Sequence, residues 1–119
     1  MPEPYKIEST SPETVNEAAI AYGMTKDDMA GIMGVSEKTY YNMMQKPTLD
    51  RERSDRFQFI RQILESGEEA LGSKSNFSAW LKTPQPMLDG YIPLDMMSTI
   101  TGANRVLQIL GRIKHGITA

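Results

Sequence analysis

The stretch that decides the fold is Lys26-Asp27-Asp28-Met29-Ala30-Gly31-Ile32-Met33-Gly34-Val35, continuing as Ser36-Glu37-Lys38-Thr39-Tyr40-Tyr41-Asn42-Met43-Met44-Gln45. It reads as two short helices joined by a tight turn. Thr25, with Asp28 three residues on, has the form of a capping box that starts the first helix. Gly34 stands where the turn needs positive φ, and Ser36 is an N-cap for the second helix. A helix-turn-helix needs a small residue where its helices cross, a turn glycine, and apolar residues that lock the pair together. Ala30, Gly34 and the set Met29, Met33, Val35, Tyr40 and Met43 meet those needs in register. In such a motif the second helix enters the DNA major groove, its N-terminal half nearest the base edges. Setting the apolar clamp aside leaves Ser36, Glu37, Lys38, Thr39, Tyr41, Asn42 and Gln45 facing outward. Asn and Gln pair bidentately with adenine, and Ser or Thr contacts bases or phosphate. Lys38, Lys46, Arg51 and Arg53 are candidate phosphate contacts. The same polar face also fits a merely solvated helix pair, and Glu37 favours that reading, since a carboxylate repels phosphate unless it reads a cytosine.

Working outward, residues 1–10 read as an exposed tail with two prolines. Ser11-Pro12 supplies an N-cap and a proline at the first helical position. Val15, Ala18, Ala19 and Tyr22 then mark an amphipathic helix stopped by Gly23. Beyond the motif, Lys46-Pro47 closes the second helix. A longer helix runs from about Leu49 to Leu71, its inner stripe being Phe57, Ile60, Leu64 and Leu71, widened by Phe59 and Ile63. Gly72-Ser73-Lys74-Ser75 has the composition of a linker. A short helix around Phe77–Leu81 follows, then a Pro- and Gly-containing loop over Thr83–Tyr91, a short helix over Pro93–Thr99, and a last helix over Ala103–His115. Val106, Ile109, Leu110 and Ile113 give the last helix its stripe. No segment alternates like a strand, so the expected class is all-α, with a tail (1–10), a first unit (11–71) and a second unit (76–119).

Bulk properties narrow the function. At 119 residues, 39% hydrophobic and 24% charged, the chain suits one compact unit or two very small ones sharing a core. No apolar run approaches the ~18–20 residues of a membrane span, and Met1-Pro2-Glu3-Pro4 is unlike a signal peptide, so a cytoplasmic location is expected by default. Without cysteine there is no disulfide and no thiolate zinc site. His115 is the single histidine and has no evident triad partners. Asp27-Asp28 and Glu68-Glu69 are sequence neighbours, about 100° apart on a helix, and do not converge as acid and base. With no phosphate-loop or dinucleotide fingerprint either, a non-enzyme without cofactor or metal is expected. The net charge is −2, and residues 1–60 hold seven Lys/Arg against ten Asp/Glu. DNA binding must then rest on a local patch and on dimerisation. Of nine methionines, Met24, Met29, Met33, Met43 and Met44 are expected in the core, while Met87, Met96 and Met97 fit either core or an adaptable partner surface.

A second pattern covers residues 76–116: Trp80-Leu81, Pro84, Met87-Leu88-Asp89-Gly90, Pro93-Leu94-Asp95-Met96-Met97, Gly102, Val106, Leu110, Ile113 and Gly116. Physically it describes a three-helix unit in which Trp80 is a core anchor, while Gly90 and Gly102 allow a bend or a close approach. The order resembles the toxin-binding domain of Xre/MbcA/ParS antitoxins, and the helices in front of it resemble their Xre-like domain, so the likeness covers residues 11–119. Thr101 departs from it, an acidic residue being common before that glycine. The resemblance implies an N-terminal Xre-like helix-turn-helix domain followed by a small helical toxin-binding domain. It implies a type II antitoxin whose partner is a RES-type, NAD-degrading toxin, obstructed at its active site, and whose helix-turn-helix binds operator DNA and represses the shared operon. A homodimer within a larger toxin–antitoxin complex is the expected assembly. Under this analogy Lys114, His115, Gly116, Ile117, Thr118 and Ala119 reach the toxin's cleft, although simple fraying explains that tail equally well. Trp80, Leu81, Met87 and Leu94 are expected to pack in the core. Two other readings remain open: a stand-alone dimeric helix-turn-helix regulator, and a protein-interaction module without DNA binding, which the acidic balance keeps in view.

Overall fold

Helix starts in this chain are set by short polar side chains. Ser11, Thr25, Ser36, Asp50, Ser73 and Thr99 each accept a hydrogen bond from the backbone N–H three residues on, satisfying a donor that the first helical turn leaves open. These caps begin α1 (Pro12–Ala21), α2 (Lys26–Ile32), α3 (Glu37–Met44), α4 (Arg51–Leu71), α5 (Lys74–Leu81) and α7 (Ile100–Lys114); α6 (Pro93–Met96) starts on its proline instead. The computed structural model describes residues 8–116, and every regular element among the described residues is helical, including a 3-10 turn at Pro86–Leu88.

The caps also explain where the expected boundaries shift. The supposed linker at Gly72–Ser75 is a tight corner: only Gly72 and Ser73 lie between α4 and α5. Gly72 ends α4 in the left-handed region, Ser73 caps α5, and Asn76 Nδ2 donates to Leu71 O at 3.0 Å. Likewise α7 starts three residues before Ala103, because Thr99 caps it on Gly102 N. That cap cuts α6 short at Met96.

The spine is α4, which packs most extensively on α7 and next on α5. Phe57, Ile60, Ile63 and Leu64 are fully buried along it, as are Ala103, Val106 and Leu110 along α7. Leu71 is only half-buried. The innermost place near that end goes to Gly67, whose missing side chain admits the ring of Phe77. Phe77, not Trp80, is the aromatic anchor. It is fully buried, with Tyr22 edge-on at 6.2 Å and Trp80 stacked on its outer face at 6.1 Å, so Trp80 ends half-buried. Leu81 is fully buried, while Met87 and Leu94 are half-buried against the core. Met24, Met29, Met33, Met43 and Met97 are buried, and Met44 and Met96 pack at its edge.

Two side chains tie the first three helices to the last three. Arg56, on α4, donates from Nε and Nη2 to Ile32 O (3.1 and 2.9 Å) and from Nη2 to Met97 O (2.8 Å), joining the C-terminal ends of α2 and α6. Lys82 Nζ donates to Gly23 O at 2.9 Å.

Candidate nucleic-acid interface

The helix-turn-helix is built as its residues require. Ala30 is buried where α2 meets α3, and Met29, Met33, Tyr40 and Met43 close the interior, with Val35 half-buried. Ile32, absent from the clamp inferred above, is also fully buried; it follows Met29 by three residues, the spacing that marks one helix face. Gly34 takes φ +70°, and a Cβ there would stand 3.2 Å from Ser98 O. Glycine therefore serves both the turn and the close approach of the α6–α7 corner. Burial pushes the Tyr40 phenol above the ordinary tyrosine range.

Helix α3 presents Glu37, Lys38, Tyr41 and Asn42 to solvent, with Ser36 and Gln45 exposed at its two ends. Thr39 is half-buried: its N–H and Oγ1 both engage the Ser36 hydroxyl, at 3.1 Å each. Tyr41 is 64% exposed, an unusual position for so large an aromatic. Two troughs flank α3. One, of about 390 Å³, lies toward Asn16 and Lys26 and is walled by Glu37, Tyr41 and Gln45. The other, of about 410 Å³, lies between Thr39, Asn42 and Lys46 on one side and Thr48, Asp50 and Arg53 on the other. The helix thus stands out as a ridge, the shape that enters a groove.

The four cations differ in their freedom. Lys38, Lys46 and Arg51 are exposed, Arg51 at the first position of α4. Arg53 is engaged: its Nη1 lies 2.7 Å from Asp50 Oδ2, and its backbone N–H donates to Asp50 Oδ1 at 2.9 Å. The backbone hydrogen bond from Arg53, helped by its guanidinium, holds the Asp50 carboxyl below its ordinary range against the opposing effect of desolvation.

At the other end of the molecule α7 runs out at Lys114, which pairs with Glu69 at 2.9 Å. His115 is the C-cap, its N–H on Gly111 O, and Gly116 follows at φ +73°. All three are exposed. Ile117, Thr118 and Ala119 lie outside the described residues. Arg105 holds Asp89 at 2.7 Å, pinning the Asp89-Gly90 turn to α7. A Cβ on Gly102 would overlap the Met96 carbonyl, so this glycine does mark a close approach. Among the described residues no three His, Cys, Asp or Glu side chains gather as a metal site, and no helix is long and apolar enough to cross a membrane.

Comparison with known proteins follows the same division. Residues 7–60 match the antitoxin Xre-like helix-turn-helix domain, and residues 66–116 match the antitoxin Xre/MbcA/ParS C-terminal toxin-binding domain. Over 96 residues the chain is 29% identical to a protein described as antitoxin Xre from Photorhabdus laumondii subsp. laumondii, an overlap covering 79% of this chain and 65% of that protein. The chain therefore spans just under two thirds of that relative. A chain in the crystal structure of the M. tuberculosis MbcT–MbcA toxin–antitoxin complex has the same fold, with a TM-score of 0.69 at 18% identity over 91% of this chain and 96% of its own. With both family domains present in order between residues 7 and 116, the chain belongs to the Xre/MbcA/ParS antitoxin family.

Proposed function

We propose that this protein is a type II antitoxin that neutralises a RES-type, NAD-degrading toxin and represses its own operon. One observation carries the proposal: a helix-turn-helix and a toxin-binding-type module follow one another in a single chain and share α4 as their spine. Residues 11–71 supply the DNA-binding unit and residues 76–119 the toxin-binding unit. The chain acts by binding in the cytoplasm and performs no reaction of its own.

On the DNA side, Asn42 and Gln45 read adenine edges, Ser36, Glu37, Thr39 and Tyr41 line the same contact, and Lys38, Lys46 and Arg51 meet phosphates, with Arg53 beside them paired to Asp50. The exposure of the α3 ridge supports this assignment. The acidic charges around it make one copy a weak binder, so two copies on one operator supply the affinity. On the toxin side, the segment from Lys114 to Ala119 is the part that meets the cleft of the enzyme.

Co-expression with the RES-type toxin of the neighbouring reading frame tests the toxin half. Growth and cellular NAD are restored, and the two chains co-purify. A toxin that stays lethal beside well-expressed, folded protein refutes this reading.

A further inference from the structure

We propose that Asp50 is a built-in phosphate mimic that occupies Arg53 and holds down the affinity of the α3 face for the DNA backbone. This rests on the DNA-binding reading and assigns a regulator of its strength within the chain.

The donor set around Asp50 is one that binds a phosphate: a guanidinium N–H and a backbone N–H at the start of a long helix. Here a carboxylate of the same chain fills it. The pair stands in the wall of the trough whose opposite wall is Thr39, Asn42 and Lys46 of α3, so a strand beside the recognition helix passes this wall. Asp50 is more than half exposed there. The paired pose leaves one cost standing: Arg53 Nε is buried with no hydrogen-bond partner. A guanidinium swung out to a phosphate regains that donor. Capping does not demand the charge, because asparagine and serine cap a helix as well as aspartate. The carboxylate is therefore separable from the cap, and its separable effect is to neutralise Arg53 and repel phosphate.

Fluorescence anisotropy of the full-length chain tests this, with a labelled duplex from the region immediately upstream of the gene and a scrambled duplex of equal length, each over a series of salt concentrations. Asp50→Asn keeps the cap and raises affinity for both duplexes by roughly 5–10-fold at low salt, because a phosphate contact carries no sequence information. Its plot of log affinity against log salt steepens by about 0.9, the signature of one more phosphate contact. In an Arg53→Gln background the same substitution relieves only the repulsion between carboxylate and phosphate, so the gain is smaller and the salt plot does not steepen. Asp50→Ser repeats the gain if the cap is intact, and circular dichroism confirms that each variant is folded. Unchanged affinity and salt slope in Asp50→Asn, or a gain and steepening of equal size without Arg53, overturns the proposal while leaving DNA binding intact. Failure of wild type and variants alike to bind either duplex at low salt defeats the DNA-binding reading itself.

Discussion

The same substitution, glycine to alanine, should act in opposite directions at Gly67 and Gly111. Each glycine lies inside a long helix, where alanine is favoured by about 1 kcal/mol through backbone entropy. At Gly111 a new Cβ meets nothing within 4 Å, so Gly111→Ala keeps most of that gain. At Gly67 it overlaps Cε1, Cδ1 and Cζ of Phe77. That ring cannot step aside, being fully buried between the edge of Tyr22 and the face of Trp80. Overpacking a closed core costs about 1–3 kcal/mol, and a direct overlap with three ring carbons belongs at the upper end. Subtracting the helix gain leaves Gly67→Ala less stable by about 2 kcal/mol. For a chain of this size about 4 °C of Tm accompanies each kcal/mol, so thermal unfolding followed by circular dichroism should show Gly67→Ala about 8 °C lower and Gly111→Ala a few degrees higher. Adding Phe77→Leu to Gly67→Ala should recover part of the loss, a coupling that a double-mutant cycle reads directly. A Gly67→Ala protein as stable as wild type would refute the reasoning.

Asn42→Ala or Gln45→Ala should weaken operator binding by about 1–3 kcal/mol and relax sequence preference, whereas Arg51→Ala should lower affinity on every sequence and flatten the salt slope, both readable by titrating specific and scrambled duplexes. The Tyr22 phenol is pushed up to about 12 by burial, by its hydrogen bond to Glu68 and by the nearby Glu68 and Glu65 charges. The unfolded chain releases this proton near pH ~10. Between these values the folded state binds more protons, so stability falls as pH rises from ~10 toward 12. Tyr22→Phe should lose that alkaline limb in urea titrations at a series of pH values, at a cost of about 1 kcal/mol near neutrality. Arg56→Gln should destabilise by about 2 kcal/mol in the same assay, and Arg56→Lys should restore only part of the loss, because its nitrogen stops one bond short of Nη2, which donates to both Ile32 O and Met97 O, and nothing replaces the Nε bond to Ile32 O.

The helix-turn-helix was legible because its demands are local. A capping pair at Thr25 and Asp28, a turn glycine and an apolar spacing all fall within a few residues of one another. The outward set on α3 followed by subtraction and is exposed but for Thr39; exposure alone does not decide what that set touches. Signals with two meanings were harder. Gly72-Ser73 has the composition of a flexible linker, yet the same two residues are a C-cap followed by an N-cap. Trp80 drew attention by its size, but tryptophan is seldom wholly buried, and the smaller Phe77 took the closed site. The pairing of Phe77 with Gly67 was beyond reach, since a glycine inside a helix pattern does not announce which ring it admits. Arg56 sits among Asp55, Arg53 and Glu52 in a charged segment that reads as solvated. Its role depends on two carbonyls distant in sequence.

That arginine bears on how the two units of the chain relate. Helix C-termini carry unsatisfied carbonyls and partial negative charge, and here two such ends, of α2 and α6, converge on one guanidinium. Desolvation lowers the Arg56 pKa from its ordinary value, yet an arginine stays charged, so the two helix ends stay bridged by a cation throughout the accessible pH range. Beside it the turn between α2 and α3 rests on Ser98 O through Gly34, with no room for a Cβ without movement of its neighbour. Helix α3 is therefore braced through its own turn against the corner that starts α7, and α7 in turn packs on α4. A flexible tether would let each face bind with no effect on the other. In this arrangement, displacement of α7 relative to α4 must either carry the α2–α3 turn with it or break the Arg56 bridge, so the two faces share one mechanical frame.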